Sequence, residues 1–123
     1  MDCPFCNLEL DKEQQVVFQS DHCLFLQKPQ NVLIGSGVIV PKSHRETLFE
    51  LDRCEWDDTY LLLQRVKNFL DDIYEPKGYN IGWNCGQIAG QEIFHAHLHV
   101  IPRFKTDHHA GKGIRYWLKQ DTE

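Results

Sequence analysis

Alternating histidines near the C-terminal end constrain the fold of this chain more than any other feature. The segment from His95 to Val100 reads His-Ala-His-Leu-His-Val. Side chains alternate between the two faces of a β-strand, so we predict a strand over 95–102 with His95, His97 and His99 on one face and apolar residues on the other. Imidazoles two positions apart on such a strand are roughly 6–7 Å apart.

This row of imidazoles has two chemical interpretations. Zinc is bound by two or three imidazoles in many proteins, so the row is compatible with a metal site. A neutral imidazole also titrates near pH 7 and can attack an electrophile, so the row is equally compatible with nucleophilic catalysis. The residue pattern alone leaves both interpretations open.

The remaining sequence predicts an α+β domain. Strands are predicted at 16–19, 23–26, 35–40 and 79–84, in addition to 95–102. A short turn or helix is expected over 46–50. Strands followed by one long helix and then further strands favour an antiparallel sheet packed by that helix over a doubly wound parallel sheet.

The long helix has clear start and stop signals. Asp52 is the predicted N-cap, with Glu55 three residues later as in a capping box, and Pro76 and Gly78 are expected to end the helix. Apolar residues at helical spacing are expected to form its buried stripe. These residues are Trp56, Tyr60, Leu63, Leu70 and Tyr74.

Length and composition predict one globular domain. The chain has 123 residues, of which 41% are hydrophobic and 25% charged. It contains no apolar run near the ~20 residues that span a bilayer and no basic, apolar leader, so we expect a cytoplasmic protein. The net charge of −5 argues against broad binding to nucleic acid or anionic membranes.

The charge is unevenly distributed along the chain. From His44 to Glu75 there are nine acidic and four basic residues, whereas 95–119 has five basic residues against one acidic residue. Five of the seven histidines also fall in this last stretch, among them His108 and His109 in a predicted polar loop. A small anionic ligand is therefore expected near the C-terminal third.

The five cysteines do not suggest a disulfide framework, because their number is odd and no export signal precedes them. Cys3 and Cys6 form a Cys-x-x-Cys pair at the N-terminus. That spacing is used by zinc sites and by redox motifs, and the pair is also compatible with two unconnected thiols.

The chain resembles the histidine triad (HIT) family. The family signature alternates three histidines with apolar residues and ends in two apolar residues, and 95–101 match it in full. Gly90-Gln91 before the triad, Pro102-Arg103 after it and the apolar strand ending in Pro-Lys-Ser-His at 38–44 are also typical. The resemblance implies a single HIT domain over 1–123: a five-stranded antiparallel sheet with one long and one short helix, usually as a homodimer.

The resemblance also implies an activity. Enzymes of this family are nucleotide hydrolases or transferases that act at an α-phosphate. His97 would attack phosphorus and carry a covalent nucleotidyl group, while His99 and Asn84 would contact the phosphate. Backbone amides over 91–93, at Gln91, Glu92 and Ile93, would add donors. Dinucleoside polyphosphates are the expected substrates, with nucleoside phosphoramidates as the alternative, and no organic cofactor is expected.

Two departures from the family pattern concern substrate recognition. Glu92 stands where many members have Ser or Thr near the phosphate or leaving group. Many members also hold the ribose with an Asp in a segment that here reads Gln-Lys-Pro-Gln-Asn, so Gln27 or Asn31 is the expected replacement. These departures keep open an alternative, a nucleotide-binding regulatory module with vestigial hydrolysis.

Some HIT proteins bind structural zinc through a Cys pair and two histidines. The matching residues here are Cys3, Cys6, His44 and His95. The resemblance thus implies a closed Cys2His2 site in which His95 orients the triad without taking part in the chemistry.

Overall fold

A five-stranded antiparallel sheet organises the chain in this computed structural model, which describes residues 2–119. The strands are β1 (Gln15–Gln19), β2 (Cys23–Gln27), β3 (Gly37–Pro41), β4 (Gly78–Trp83) and β5 (Leu98–Arg103), in the spatial order β1-β2-β3-β5-β4. The helices are α1 (Arg53–Tyr74) and the short α2 (Ile114–Leu118). Single 3-10 turns occur at Leu8–Leu10, Leu48–Glu50 and Gln87–Ala89. The predicted α+β architecture is confirmed.

The predicted fifth strand is wrong at its start. Only His99 of the three histidines lies within β5, because regular pairing begins at Leu98. The backbone N–H of Ala96 instead donates to the carbonyl of Arg45, 2.6 Å away, which anchors the preceding segment to the chain beyond β3. The segment that carries His95 and His97 is therefore held by a bond outside the regular pairing of β5.

The start of α1 follows the sequence closely. The Asp52 side chain accepts a hydrogen bond from the Glu55 backbone N–H at 2.8 Å, and the Glu55 carboxylate accepts one from the Asp52 N–H at 2.9 Å. This reciprocal capping box satisfies two of the N–H groups that a helix start leaves unpaired. Glu75, in the left-handed conformation with φ 50°, follows the last residue of the helix.

The buried stripe of α1 was predicted correctly only in part: Leu63 and Tyr74 pack half-buried against the core cluster that contains Leu70. Trp56 and Tyr60 are 47% and 61% exposed, and Leu70 alone of the predicted set is fully buried. The buried residues are Glu55, Thr59, Leu62, Val66 and Leu70. Two polar residues occupy this face because Glu55 pairs with Arg45 at 2.9 Å and the Thr59 hydroxyl donates to the Glu55 carbonyl at 2.8 Å.

The two faces of the sheet bury different partners. One face packs against α1 through Phe25, Ile39 and Val100, all fully buried. The other face packs against the N-terminal segment through a smaller cluster of Cys3, Phe5, Leu26 and Val40. His99, between Leu98 and Val100 of the α1 face, lies on this second face. The histidines and the N-terminus therefore meet on the side opposite α1.

Among the described residues, no helix combines the length and apolar character that crossing a membrane requires.

Candidate active site and metal centre

The backbone entering β5 orients the imidazole of His97. Its Nδ1 lies 2.8 Å from the carbonyl oxygen of His95, and only a protonated nitrogen can donate to that acceptor. The Nδ1–H tautomer leaves Nε2 with a free lone pair. His97 is 8% exposed, and its ring lies 4.8 Å from that of His99, centroid to centroid. In its neutral form His97 thus has the tautomer and the orientation of a nucleophile.

The surroundings of His99 favour its neutral form. Burial, reinforced by the neighbouring His97, lowers the pKa of the His99 imidazole below its ordinary value. A neutral His99 still has an N–H to donate to a phosphate oxygen.

A cleft of about 440 Å³ opens over these two rings. Its apolar wall comes from the N-terminal segment, from β2, β3 and β5 and from the loop between β2 and β3; this wall includes Pro4, Phe5, Leu26, Leu33, Val38 and Ile101. A predominantly apolar cavity with a few polar groups is the usual form of a small-molecule site.

The loop between β4 and β5 contributes a further part of the cleft lining. Asn84, Glu92 and Ile93 line it, as the resemblance implies, together with Gly90. Gln91 does not line it with its side chain. The side chain of Gln91 is 3% exposed, accepts from the Gly86 N–H at 2.8 Å and donates to the Glu46 carbonyl at 2.7 Å. Gln91 therefore holds the loop in place, and its role in substrate binding stays a prediction.

Of the two residues expected to bind ribose, only Gln27 lies in the cleft. Gln27 lines the cleft and donates from Nε2 to the Gly35 carbonyl at 2.9 Å. Asn31 is exposed and does not belong to the cleft lining. His108 and His109 lie beside a different cavity, against Pro102 and Phe104.

An ion pair in the cleft was missed by the sequence reasoning. Lys28 Nζ lies 3.0 Å from an Asp11 carboxylate oxygen, and both residues line the cleft. That hydrogen bond to Lys28 lowers the pKa of Asp11 below its ordinary value. The two residues are seventeen positions apart on different elements. No local spacing signals their contact.

Four potential metal ligands converge beside the triad. The side-chain atoms of Cys3, Cys6, His44 and His95 all lie within 4.8 Å of one another. Cys6 Sγ is 3.1 Å from His44 Nδ1, and His95 Nδ1 is 3.4 Å from both sulfurs. These four residues could hold a metal ion.

The protonation of His95 suits a ligand. His95 is fully buried and its Nε2 lies 2.8 Å from the Pro41 carbonyl, so Nε2 carries the proton and donates it. Nδ1 then faces the sulfurs with a free lone pair. Burial also lowers the pKa of His95, which favours the neutral imidazole that a metal needs. A carbonyl that fixes the tautomer of a ligating histidine is a recurring element of metal sites.

The spacing of the four atoms fits a tetrahedral ion. Zinc–nitrogen and zinc–sulfur bonds of about 2.0–2.3 Å place the corners of a tetrahedron about 3.3–3.8 Å apart. Four of the six separations among these atoms are 3.1–3.4 Å, close to that range, and all six are within 4.8 Å. The donor set, two sulfurs and two imidazole nitrogens, is one that structural zinc sites use.

The candidate metal centre and the cleft share a wall. Pro4 and Phe5 lie between the two cysteines and line the cleft. The Phe5 ring is 5.6 Å from the ring of His95 and 5.2 Å from that of His97. A metal ion bound by Cys3 and Cys6 would therefore fix one side of the cleft and the approach to His97.

The chain belongs to the HIT domain family, whose pattern matches residues 9–106. An uncharacterised HIT-like protein of Borreliella burgdorferi is 34% identical over 110 residues, covering 86% of this chain and 78% of that protein. A bis(5'-adenosyl)-triphosphatase of Dictyostelium discoideum is 25% identical over 114 residues, covering 93% and 76%.

Solved structures agree with this membership. A HIT family protein from Bacillus subtilis superposes with a TM-score of 0.77 at 28% identity, over 87% of this chain and 77% of its own. A zinc-bound histidine triad family protein from Mycobacterium smegmatis gives a TM-score of 0.74 at 26% identity, over 86% and 78%. The family resemblance drawn from 95–101 and 38–44 is confirmed.

Proposed function

We propose that this protein is a nucleotide hydrolase or nucleotidyltransferase that cleaves at an α-phosphate through a covalent nucleotidyl-His97 intermediate. The observation that carries the proposal is the tautomer of His97, whose Nδ1–H is bound to the His95 carbonyl at 2.8 Å. Its Nε2 lone pair is left free inside a cleft of about 440 Å³. The name of the Dictyostelium relative, a dinucleoside triphosphatase, supports the same class of substrate.

The proposed reaction has two displacements. His97 Nε2 attacks the α-phosphorus, and the bond from phosphorus to the leaving group breaks with its electron pair on that group. Water then attacks the same phosphorus, the P–N bond to His97 returns its electron pair to the imidazole, and the water protons pass to solvent. Splitting one displacement into two in this way is the usual gain of covalent catalysis. The product is a nucleoside monophosphate.

The neighbouring residues would bind the phosphate. His99 is neutral and donates an N–H, and Asn84 offers an amide on the same cleft. The backbone amides over 91–93 are additional candidates for the charge that develops on the oxygens. The substrate classes we carry forward are dinucleoside polyphosphates and nucleoside phosphoramidates.

Structural zinc is proposed at Cys3, Cys6, His44 and His95. The observation in support is the convergence of four ligand atoms within 4.8 Å, with the His95 tautomer fixed by Pro41. The ion would contribute folding energy by joining the N-terminus to the histidine segment, and with all four positions taken by protein it would leave none for substrate.

A homodimer is also proposed. Trp56 and Tyr60 of α1 lie beside Ile81 and Trp83 of β4 around an apolar groove of about 530 Å³, and β4 is an edge strand. Such an apolar groove next to an unpaired strand edge favours association with a second copy. Equilibrium sedimentation of wild type and of Trp56→Glu tests this: wild type at monomer mass, or a dimeric variant, would contradict it. A cytoplasmic location stays a prediction.

The mechanism is tested by turnover in ¹⁸O-labelled water. Diadenosine triphosphate and adenosine 5'-phosphoramidate are incubated with wild type, His97→Ala and the exposed control His22→Ala. Attack at the α-phosphorus puts ¹⁸O in the released AMP, and His97→Ala is expected to lose at least about a thousandfold in rate. Equal rates for wild type and His97→Ala would refute the nucleophile. Tight AMP binding without any turnover would instead favour the regulatory module.

A further inference from the structure

Glu92 has an unusual position among the charged groups of the cleft. The charged side chains in the lining are one lysine, Lys28, and two carboxylates, Asp11 and Glu92. Lys28 is already paired with Asp11 at 3.0 Å. Within the described chain, Glu92 has no hydrogen-bond or ion-pair partner. The lining therefore has an unpaired carboxylate and no unpaired lysine or arginine.

The backbone around Glu92 is well anchored. Its neighbour Gln91 is buried and ties the loop to Gly86, Glu46 and Ile93 by three hydrogen bonds of 2.7–3.0 Å. Glu92 itself is exposed and lines the cleft with Asn84 and Gly90. Since Gln91 fixes this loop, Glu92 cannot leave the cleft by a small backbone shift without breaking buried bonds.

This arrangement bears on the leaving group, and the inference rests on the proposed function. A polyphosphate leaving group carries several negative charges. The cleft offers it a repelling carboxylate and only a lysine that already has a partner. Like charges about 4 Å apart near a protein surface repel by an amount that alters a rate constant about tenfold or more. An amine leaving group, which becomes a cation when protonated, would be attracted by the same carboxylate.

We propose that Glu92 is a specificity-determining residue that selects nucleotide conjugates with an amine leaving group, nucleoside 5'-phosphoramidates, over dinucleoside polyphosphates. As His97 attacks phosphorus, the P–N bond to the amine breaks with its electron pair on nitrogen. That nitrogen takes two protons from solvent, one as the bond breaks and a second on the free amine, and it departs as an ammonium ion. The Glu92 carboxylate attracts this ammonium ion and any further cationic group on the departing amine.

The test compares leaving groups on one nucleotide. The substrates are diadenosine triphosphate and the phosphoramidate that joins AMP to the side-chain amine of lysine amide, which has a second, cationic amine. The proteins are wild type, Glu92→Gln and, as a control for net charge, Asp72→Asn, an exposed helical residue outside the cleft. Glu92→Gln keeps the size of the side chain and removes its charge.

The expected result is a change in preference. Wild type and Asp72→Asn should favour the phosphoramidate in kcat/KM, and Glu92→Gln should shift the ratio toward the triphosphate by about tenfold or more. A wild type that prefers the triphosphate, or an unchanged ratio in Glu92→Gln, would overturn the proposal. Loss of both activities in Glu92→Gln would also overturn it, by assigning Glu92 to catalysis in general.

An affinity measurement separates this inference from the proposed function. Calorimetric titration of the same three proteins with AMP and ATP needs no turnover. Wild type should bind ATP more weakly than AMP, and Glu92→Gln should reduce the difference about tenfold. If His97→Ala remains fully active, the proposed mechanism fails while this affinity ratio still decides the role of Glu92. An ATP-to-AMP affinity ratio equal in wild type and Glu92→Gln would refute charge selection.

Discussion

Removal of the proposed zinc ion should both destabilise the protein and weaken nucleotide binding. The turn that bears the two cysteines is short and is closed by backbone bonds from Cys6 and Asn7 to the Cys3 carbonyl at 3.1 and 2.9 Å. Its main packing contribution is Phe5, 7% exposed among Leu26 and Val40. If the metal holds this turn, chelation should release Phe5 along with it.

The size of the effect follows from the buried ring. Full burial of a Phe side chain is worth about 2 kcal/mol, and at about 4 °C per kcal/mol for a domain of this size Tm should fall by about 8 °C. Cys6→Ser is the matching variant, because Cys6 is exposed and its sulfur lies 3.1–3.4 Å from His44 and His95 of the ligand cluster. Cys54→Ser, also exposed but outside the ligand cluster, is the control.

The assay combines three measurements on protein purified without chelator. Elemental analysis should find about one zinc per chain, and melting with and without chelator should give the Tm difference. Calorimetry should show that AMP affinity falls in Cys6→Ser, because Phe5 lines the cleft and lies 5.2 Å from His97. Metal-free protein whose Tm does not change on chelation, with Cys6→Ser equal to Cys54→Ser, would refute the reasoning.

Two further predictions concern stability. Leu62→Ala should lower the free energy of unfolding in urea by about 2–5 kcal/mol, because Leu62 is 1% exposed. Leu61 is 61% exposed, so Leu61→Ala should lower it far less. Equal losses in the two variants would contradict the assigned buried face. The Arg103 guanidinium holds the pKa of Asp107 well below its usual range. The Asp107 carboxylate therefore stabilises the fold fully above the pKa that it has in the unfolded chain, and this stabilisation falls as the pH drops toward its pKa in the folded protein. The loss in free energy of unfolding caused by Asp107→Asn should thus be larger at pH 7 than at pH 3. A pH-independent difference between wild type and this variant would exclude that pair as the cause.

The helix start, which depends on local spacing, was predicted correctly from the sequence. The capping box needs only Asp52 and Glu55 three residues apart, and the structure contains both of its hydrogen bonds. The metal ligands are different, because Cys3 and His95 are ninety-two positions apart. Their contact was expected only through the resemblance to a family, since no periodicity relates such distant residues.

The error in the buried stripe of α1 has a physical cause. The helix has two apolar faces, one toward the sheet and one toward the groove beside β4. Periodicity identifies apolar residues but does not tell which face meets the core. The true core face includes Glu55 and Thr59, which are accepted there because Arg45 and a backbone carbonyl satisfy them. A buried face that contains polar residues with distant partners therefore cannot be recognised from the hydrophobic pattern of a single sequence.

The position of the cleft depends on contacts of the same long-range kind. His97 and His99 come from the C-terminal third, but the apolar wall opposite them comes from Phe5, Leu26 and Val38. The register that pairs Val38 with His99 brings the wall and the histidines together. A change at Val38 should therefore alter nucleotide binding without touching the signature that predicts the chemistry. The triad supports the proposed reaction, and we expect residues far from it in sequence to affect which molecules reach His97.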